Sequence, residues 1–188
     1  MAIDLPGDAC FQAIEWCQGR TERDAWDKCS RANWMVWILG RRGADKRRLV
    51  TVACKFARYV LHLVPVDEPQ ARLAIEAAEA WLRDPCHVTA HAAYAANDVC
   101  NAANSTRVGS YASAAANAAA AAAAASDASC AAVYATNAAV YAAHAAGHAA
   151  AGANAAAASD GMNAHLAGVV REYFTLEDAK QAGVEIVT

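Results

Sequence analysis

The sequence predicts an all-α fold, a helical bundle in which short tryptophan-bearing N-terminal helices pack on long alanine-rich ones. Three observations lead there. Apolar residues recur at three- and four-residue spacing, the period of an amphipathic helix. No stretch alternates apolar and polar residues with β-branched enrichment for long enough to argue a strand. Residues 110–158 are nearly polyalanine, and alanine is the best helix former while burying little apolar area per residue.

Taken in order, the spacing predicts a first helix from Asp8 to Gly19, with Phe11, Ile14 and Cys17 on one face. Thr21-Glu22-Arg23-Asp24 reads as a capping-box variant opening a short helix through Cys29. Trp34, Trp37 and Ile38 share a face of the next helix, which Gly40 and Gly43 punctuate. Asp45 can cap a longer helix to about Leu63, whose residues Leu49, Val52, Ala53, Phe56, Val60 and Leu63 form an amphipathic stripe ended by Pro65. Pro69 suits the first turn of a helix to about Arg83, with Arg72–Glu76 and Glu79–Arg83 spaced as i, i+4 ion pairs.

Pro85 marks the change to the alanine-rich half. There the reading is three longer helices, about 87–104, 110–125 and 127–158, with Ser159-Asp160-Gly161 ending the tract. A short apolar helix carrying Leu166, Val169, Val170, Tyr173 and Phe174 follows, and Thr175-Leu176-Glu177-Asp178 caps a last turn. At 188 residues the chain reads as a single domain over 1–188: a Trp/Arg-bearing half (1–84), an alanine-rich half (85–174) and a C-terminal tail (175–188).

Composition narrows the functional classes. Net charge is -3, so no global electrostatic case for nucleic acid exists. Hydrophobic content of 57% is inflated by alanine, and no run is apolar enough to span a bilayer, so no membrane association is expected. With no signal-like N-terminal segment the chain reads as cytoplasmic. Seven cysteines without any C-x-x-C pair suit small buried hydrophobes in a reducing compartment.

The interruptions of the alanine tract are regular. Tyr134, Asn137, Tyr141, His144 and His148 recur at spacings of 3, 4, 3 and 4, and His87, His91, Tyr94, Asp98 and Asn101 at 4, 3, 4 and 3. Each set is one helical stripe. Such stripes can line a pocket that stacks on and hydrogen-bonds a small ligand, or form a satisfied network that fixes helix register. The pairs His87/His91 and His144/His148 lack further ligands at a diagnostic spacing, so neither a metal nor any other cofactor is expected. No nucleophile, base and orienting group can be named together, and the chain does not read as an enzyme. Arg41, Arg42, Lys46, Arg47 and Arg48 place five cations in eight residues, opposed only by Asp45. All five tryptophans fall in the first 81 residues, where core packing is their default role.

One segment carries a resemblance. Ala25-Trp26-Asp27-Lys28-Cys29-Ser30-Arg31-Ala32-Asn33-Trp34-Met35-Val36-Trp37-Ile38-Leu39 resembles the A-W-x-x-C-x-R-x-[DN]-W-x-x-W-[LI]-L pattern of the immunity protein 5-like family of bacterial immunity proteins. Leu49 to Arg58 is similar to that family's Ala-Cys-x-x-Ala-Arg helix, and Ala74 to Trp81 to its A-I-E-x-A-E-x-W helix. The second half matches by composition only, and departs in its Asn, Ser and His content. The resemblance implies an all-helical, non-enzymatic protein that neutralises a toxin by stoichiometric binding. The expected contact is Arg41, Arg42, Arg47, Arg48 and Trp37 against an acidic surface of the cognate toxin. The alternative is a phage or mobile-element anti-defence protein that sequesters a small nucleotide-like signal. Tyr94, Asn101, Tyr134, Asn137, Tyr141, His144 and His148 would then line the site. A homodimer would close the alanine seams if they pair between chains.

Overall fold

The computed structural model describes residues 5–64, 69–86, 89–90, 107–150 and 154–180. Among the described residues there are nine α-helices and no strands: α1 (Phe11–Cys17), α2 (Glu22–Lys28), α3 (Ala32–Arg41), α4 (Lys46–Val60), α5 (Gln70–Arg83), α6 (Arg107–Ala124), α7 (Ala128–Ala149), α8 (Ala155–Tyr173) and α9 (Leu176–Lys180). A 3-10 turn, Leu61–Leu63, follows α4. The chain is an all-α helical bundle. No described helix is long and apolar enough to cross a membrane.

Local chemistry explains most of the boundaries. The Thr21 side chain accepts from the Asp24 N–H at 3.1 Å, and that of Asp45 accepts from the Arg48 N–H at 2.9 Å, so both expected N-caps open their helices. Asp127 does the same for α7, accepting from the Cys130 N–H at 2.8 Å. Leu49, Val52, Ala53, Phe56 and Val60 all turn inward, the stripe anticipated for α4. The helix expected over 87–104 falls outside the described residues apart from 89–90.

Two expectations need correction. The tract does not end at Ser159-Asp160-Gly161: α7 stops at Ala149, and α8 runs unbroken through those three residues. A Cβ at Gly161 would meet nothing within 4 Å, so this glycine sits on an open helix surface. There it costs only about 1 kcal/mol relative to alanine. Downstream, Leu166, Ala167 and Val170 are buried and hold the helix in place. The second correction concerns Glu79. Its carboxylate accepts from the Arg58 Nε at 2.9 Å and Nη2 at 2.7 Å, linking α5 to α4 rather than serving Arg83. That partner pulls the Glu79 carboxyl below its usual range.

Helix α7 lies at the centre. It packs on α6 along an alanine seam and also contacts α3, α4 and α8, while α5 lies against α6 and α4. The approach to α3 is close: a Cβ built on Gly40 would stand 2.1 Å from the Cβ of Ala132. Only glycine fits that crossing.

Candidate functional site

Helix α3 has two working faces. Ala32, Val36, Leu39 and Gly40 are buried, the last against α7, while Trp34, Trp37 and Ile38 line a pocket on another side. Three further helices reach the same pocket. Ala13, Trp16 and Cys17 come from α1, Glu22, Ala25 and Trp26 from α2, and Leu176, Ala179 and Lys180 from α9. Each helix therefore presents an i, i+3, i+4 triplet, the spacing of one helical face. The cavity measures about 330 Å³. Three of its walls offer alanine where a larger side chain would fill the space.

The walls are held by arginines. Arg171 of α8 donates from Nε to the Trp26 carbonyl at 3.0 Å and from Nη2 to the Trp26 and Cys29 carbonyls, fixing the C-terminal end of α2. Arg48 forms a two-pronged pair with the Asp178 carboxylate at 2.7 and 3.0 Å. It also donates to the Tyr173 carbonyl and lies 4.2 Å from the centre of the Phe174 ring, so it holds α9 in place. The same contact keeps the Asp178 carboxyl well below the usual carboxylate range. Lys180 spans Glu22 and Glu177, each at 3.3 Å. On the α1 side, the turn into α2 passes through Gly19 at φ +72°, a conformation that side chains with a Cβ avoid. The Arg20 guanidinium lies 3.6 Å from the centre of the Trp16 ring and donates to the Trp16 carbonyl at 2.8 Å.

The pocket chemistry suits binding. Burial pushes the Cys17 and Cys29 thiols up, so both stay protonated near neutral pH and neither is a reactive thiolate. Charge enters the lining through Arg42, Lys180 and Glu22. Among the described residues no group of three His, Cys, Asp or Glu side chains is placed to hold a metal ion. On the outer side of α1, Phe11 is 74% and Ile14 41% exposed, one helical turn apart.

The five-cation run does not present one surface. Arg41 is exposed and pairs with Asp8 at 3.2 Å, tying the segment before α1 to the end of α3. Arg42 and Trp37 line the pocket. Arg47 is exposed and donates to the Leu82 carbonyl at the end of α5, and Arg48 is engaged with α8 and α9 as described. Lys46 donates to the Ala123 carbonyl at 3.1 Å and the Ala125 carbonyl at 2.5 Å, closing the end of α6, with the Trp81 ring centre 4.2 Å away. Of the arginines predicted to meet a partner, only Arg41 and Arg42 therefore lie together with Trp37.

The second stripe lies on the outer side of α7. Tyr134, His144 and His148 are exposed, and Asn137 and Tyr141 half-buried. Tyr111 of α6 joins it, stacked parallel on His148 at 4.9 Å and tilted against His144 at 5.3 Å. Tyr94 and Asn101 of the first stripe lie outside the described residues.

Sequence reasoning missed Trp16, Trp26, Trp34, Glu22 and Lys180 as site residues. The shared face of Trp34, Trp37 and Ile38 was the signal for one wall; no local pattern announces the wall from α9. Comparisons with protein-family models, curated proteins and solved structures find no match to this chain.

Proposed function

We propose that this protein works by stoichiometric binding rather than catalysis, as an immunity-type protein that occludes a toxin, through the face built by α1 and α3. One observation carries this reading: Phe11 and Ile14 are exposed on a helix whose other side, with Trp34 and Trp37, walls an open aromatic pocket. Exposed apolar side chains beside tryptophan and arginine are the usual make-up of an interface centre. Arg41 at the end of α3 adds a cation to the rim. The resemblance of residues 25–39 to immunity proteins supports the same assignment, because those residues form α3 and its approach.

The test is native mass spectrometry after incubation with lysate from the source cells, on the wild type and on a Phe11→Ser/Ile14→Ser variant. The expected result is a protein-sized adduct at fixed stoichiometry on the wild type and none on the variant. The captured protein, expressed alone, is expected to arrest growth, and co-expression of this chain to relieve the arrest. An adduct retained by the variant would place the contact elsewhere.

A further inference from the structure

The pocket beneath that rim has features a flat contact surface does not need. Its volume, about 330 Å³, lies at the lower end of the range for small-molecule sites, about 300–1,000 Å³. Four indole rings contribute to its lining, and Ala13, Ala25 and Ala179 leave the space between them open. Trp26 is buried, but Trp16, Trp34 and Trp37 are only half-buried, so ring surface remains for a ligand to cover. Three charged side chains also line the pocket, and each is already engaged. Lys180 pairs with Glu22 and with Glu177, each at 3.3 Å, and Arg42 has a partner of its own. The Cys17 and Cys29 thiols in the same wall stay protonated near neutral pH and add no charge.

We infer that this pocket is a binding site for a small uncharged molecule with a planar aromatic ring. The ring lies among Trp16, Trp34 and Trp37, where indole faces and edges reward a planar π-system beyond the area it buries. The Arg20 guanidinium, 3.6 Å from the Trp16 ring centre, occupies one face of that indole and leaves the ligand the remainder. An anion or a cation of the same shape gives up hydration on entering and meets no free counter-charge in return. Selection against charge is therefore built into a wall whose ionic groups satisfy one another. This site goes beyond the toxin reading and stands without it, since occupancy needs no protein partner.

The experiment uses three naphthalene probes of similar shape, 1-naphthylacetamide, 1-naphthylacetate and 1-naphthylmethylamine, titrated into the full chain and followed by calorimetry and tryptophan fluorescence. The amide is expected to bind at least about tenfold tighter than either ion, with an affinity that sodium chloride leaves unchanged. In a second pair, phenylacetamide should bind at least about threefold tighter than cyclohexylacetamide, whose ring has no π-face. Ala179→Leu from α9 and Ala25→Leu from α2 are each expected to abolish binding of the amide without lowering the melting temperature, because they fill the cavity rather than opening it. Either ion binding as tightly as the amide would overturn the assignment, as would a reversed order in the second pair. Binding of the amide that survives either filled variant in a folded protein would do the same, and so would no binding by both readouts at millimolar probe. The probe comparison on the wild type decides the matter even where a filled variant does not fold. The toxin reading fails by a different result, loss of partner capture, which these titrations do not touch.

Discussion

Leu49, Val52, Phe56 and Val60 of α4 and Ala131, Ala135, Ala138, Ala142 and Ala145 of α7 are all sealed from solvent. Equal exposure hides unequal work. Burying a phenylalanine or leucine contributes about 1.5–3 kcal/mol, whereas the alanine side chain is a single methyl group. What alanine supplies is proximity: α7 can meet α3 where a Cβ on Gly40 would stand 2.1 Å from that of Ala132. Hydrophobic stabilisation is thus concentrated in α3–α5, and steric tolerance is tightest in the seams around α7. Deleting atoms should hurt most in the first region, and adding them most in the second.

Phe56→Ala tests the first half of that statement. Phe56 is fully buried, so the loss of its ring should cost about 3–5 kcal/mol, read as a shift of the urea midpoint. The matching truncation in the seam, Ala138→Gly, should cost only about 1 kcal/mol, most of it helix propensity. Equal losses at the two sites would break the comparison.

Gly40→Ala tests the other half. Adding one methyl at the α3–α7 crossing should destabilise by about 1–3 kcal/mol, although the same change raises helix propensity. The partner variant Ala132→Gly removes the colliding atom, and the Ala132 Cα would then stand an ordinary 3.5 Å from the new Cβ. Combining the two should recover most of the loss in a double-mutant cycle. An additive pair would mean that the helices are already apart at this point.

The contrast also sets what could be read in advance. α4 was legible because Asp45 caps it, a stripe of large residues marks its inner face, and Pro65 follows it closely. Thr21 and Trp34/Trp37/Ile38 were legible for similar local reasons. Within the alanine tract local signals fail, because alanines on both sides of a break favour helix equally and a surface glycine such as Gly161 does not stop one. The basic run at 41–48 was readable as charge but not as position. Arg48 finds the Tyr173 carbonyl 125 residues on, and Lys46 closes α6 after 77 and 79 residues. Their long stems let cations leave the surface without any trace in spacing. The pocket wall from α9 was hidden for the same reason, since Arg48 and Asp178 join elements 130 residues apart.

That long-range pair gives a smaller, pH-dependent effect. Hydrogen bonding to Arg48, with further bonds from Thr175, holds the Asp178 carboxyl below the usual carboxylate range. A depressed folded-state value contributes stability above the unfolded value of about 4, and the contribution is lost as pH falls through the folded one. Wild type should therefore be more stable than Asp178→Asn by a constant margin above about pH 5, narrowing steadily as the buffer is acidified. The pair is partly exposed, so the margin should stay below that of Gly40→Ala. A margin independent of pH would show that Asp178 acts through its shape rather than its charge.

The smallest effect runs in the opposite direction and decides where the alanine tract divides. In α8, Gly161 is a helix-interior residue with open space beyond its Cβ position, and it is not among the glycines with positive φ. Gly161→Ala should then raise stability by about 0.5–1 kcal/mol, through helix propensity and a less flexible unfolded chain. The same substitution at a helix terminator would destabilise, because a terminating glycine commonly adopts a left-handed conformation that alanine resists. A raised urea midpoint with an unchanged denaturant slope supports α8 running through Ser159-Asp160-Gly161. A lowered midpoint would return the end of the tract to those three residues. It would also detach Leu166 and Val170, which anchor α8, from the alanines at its start.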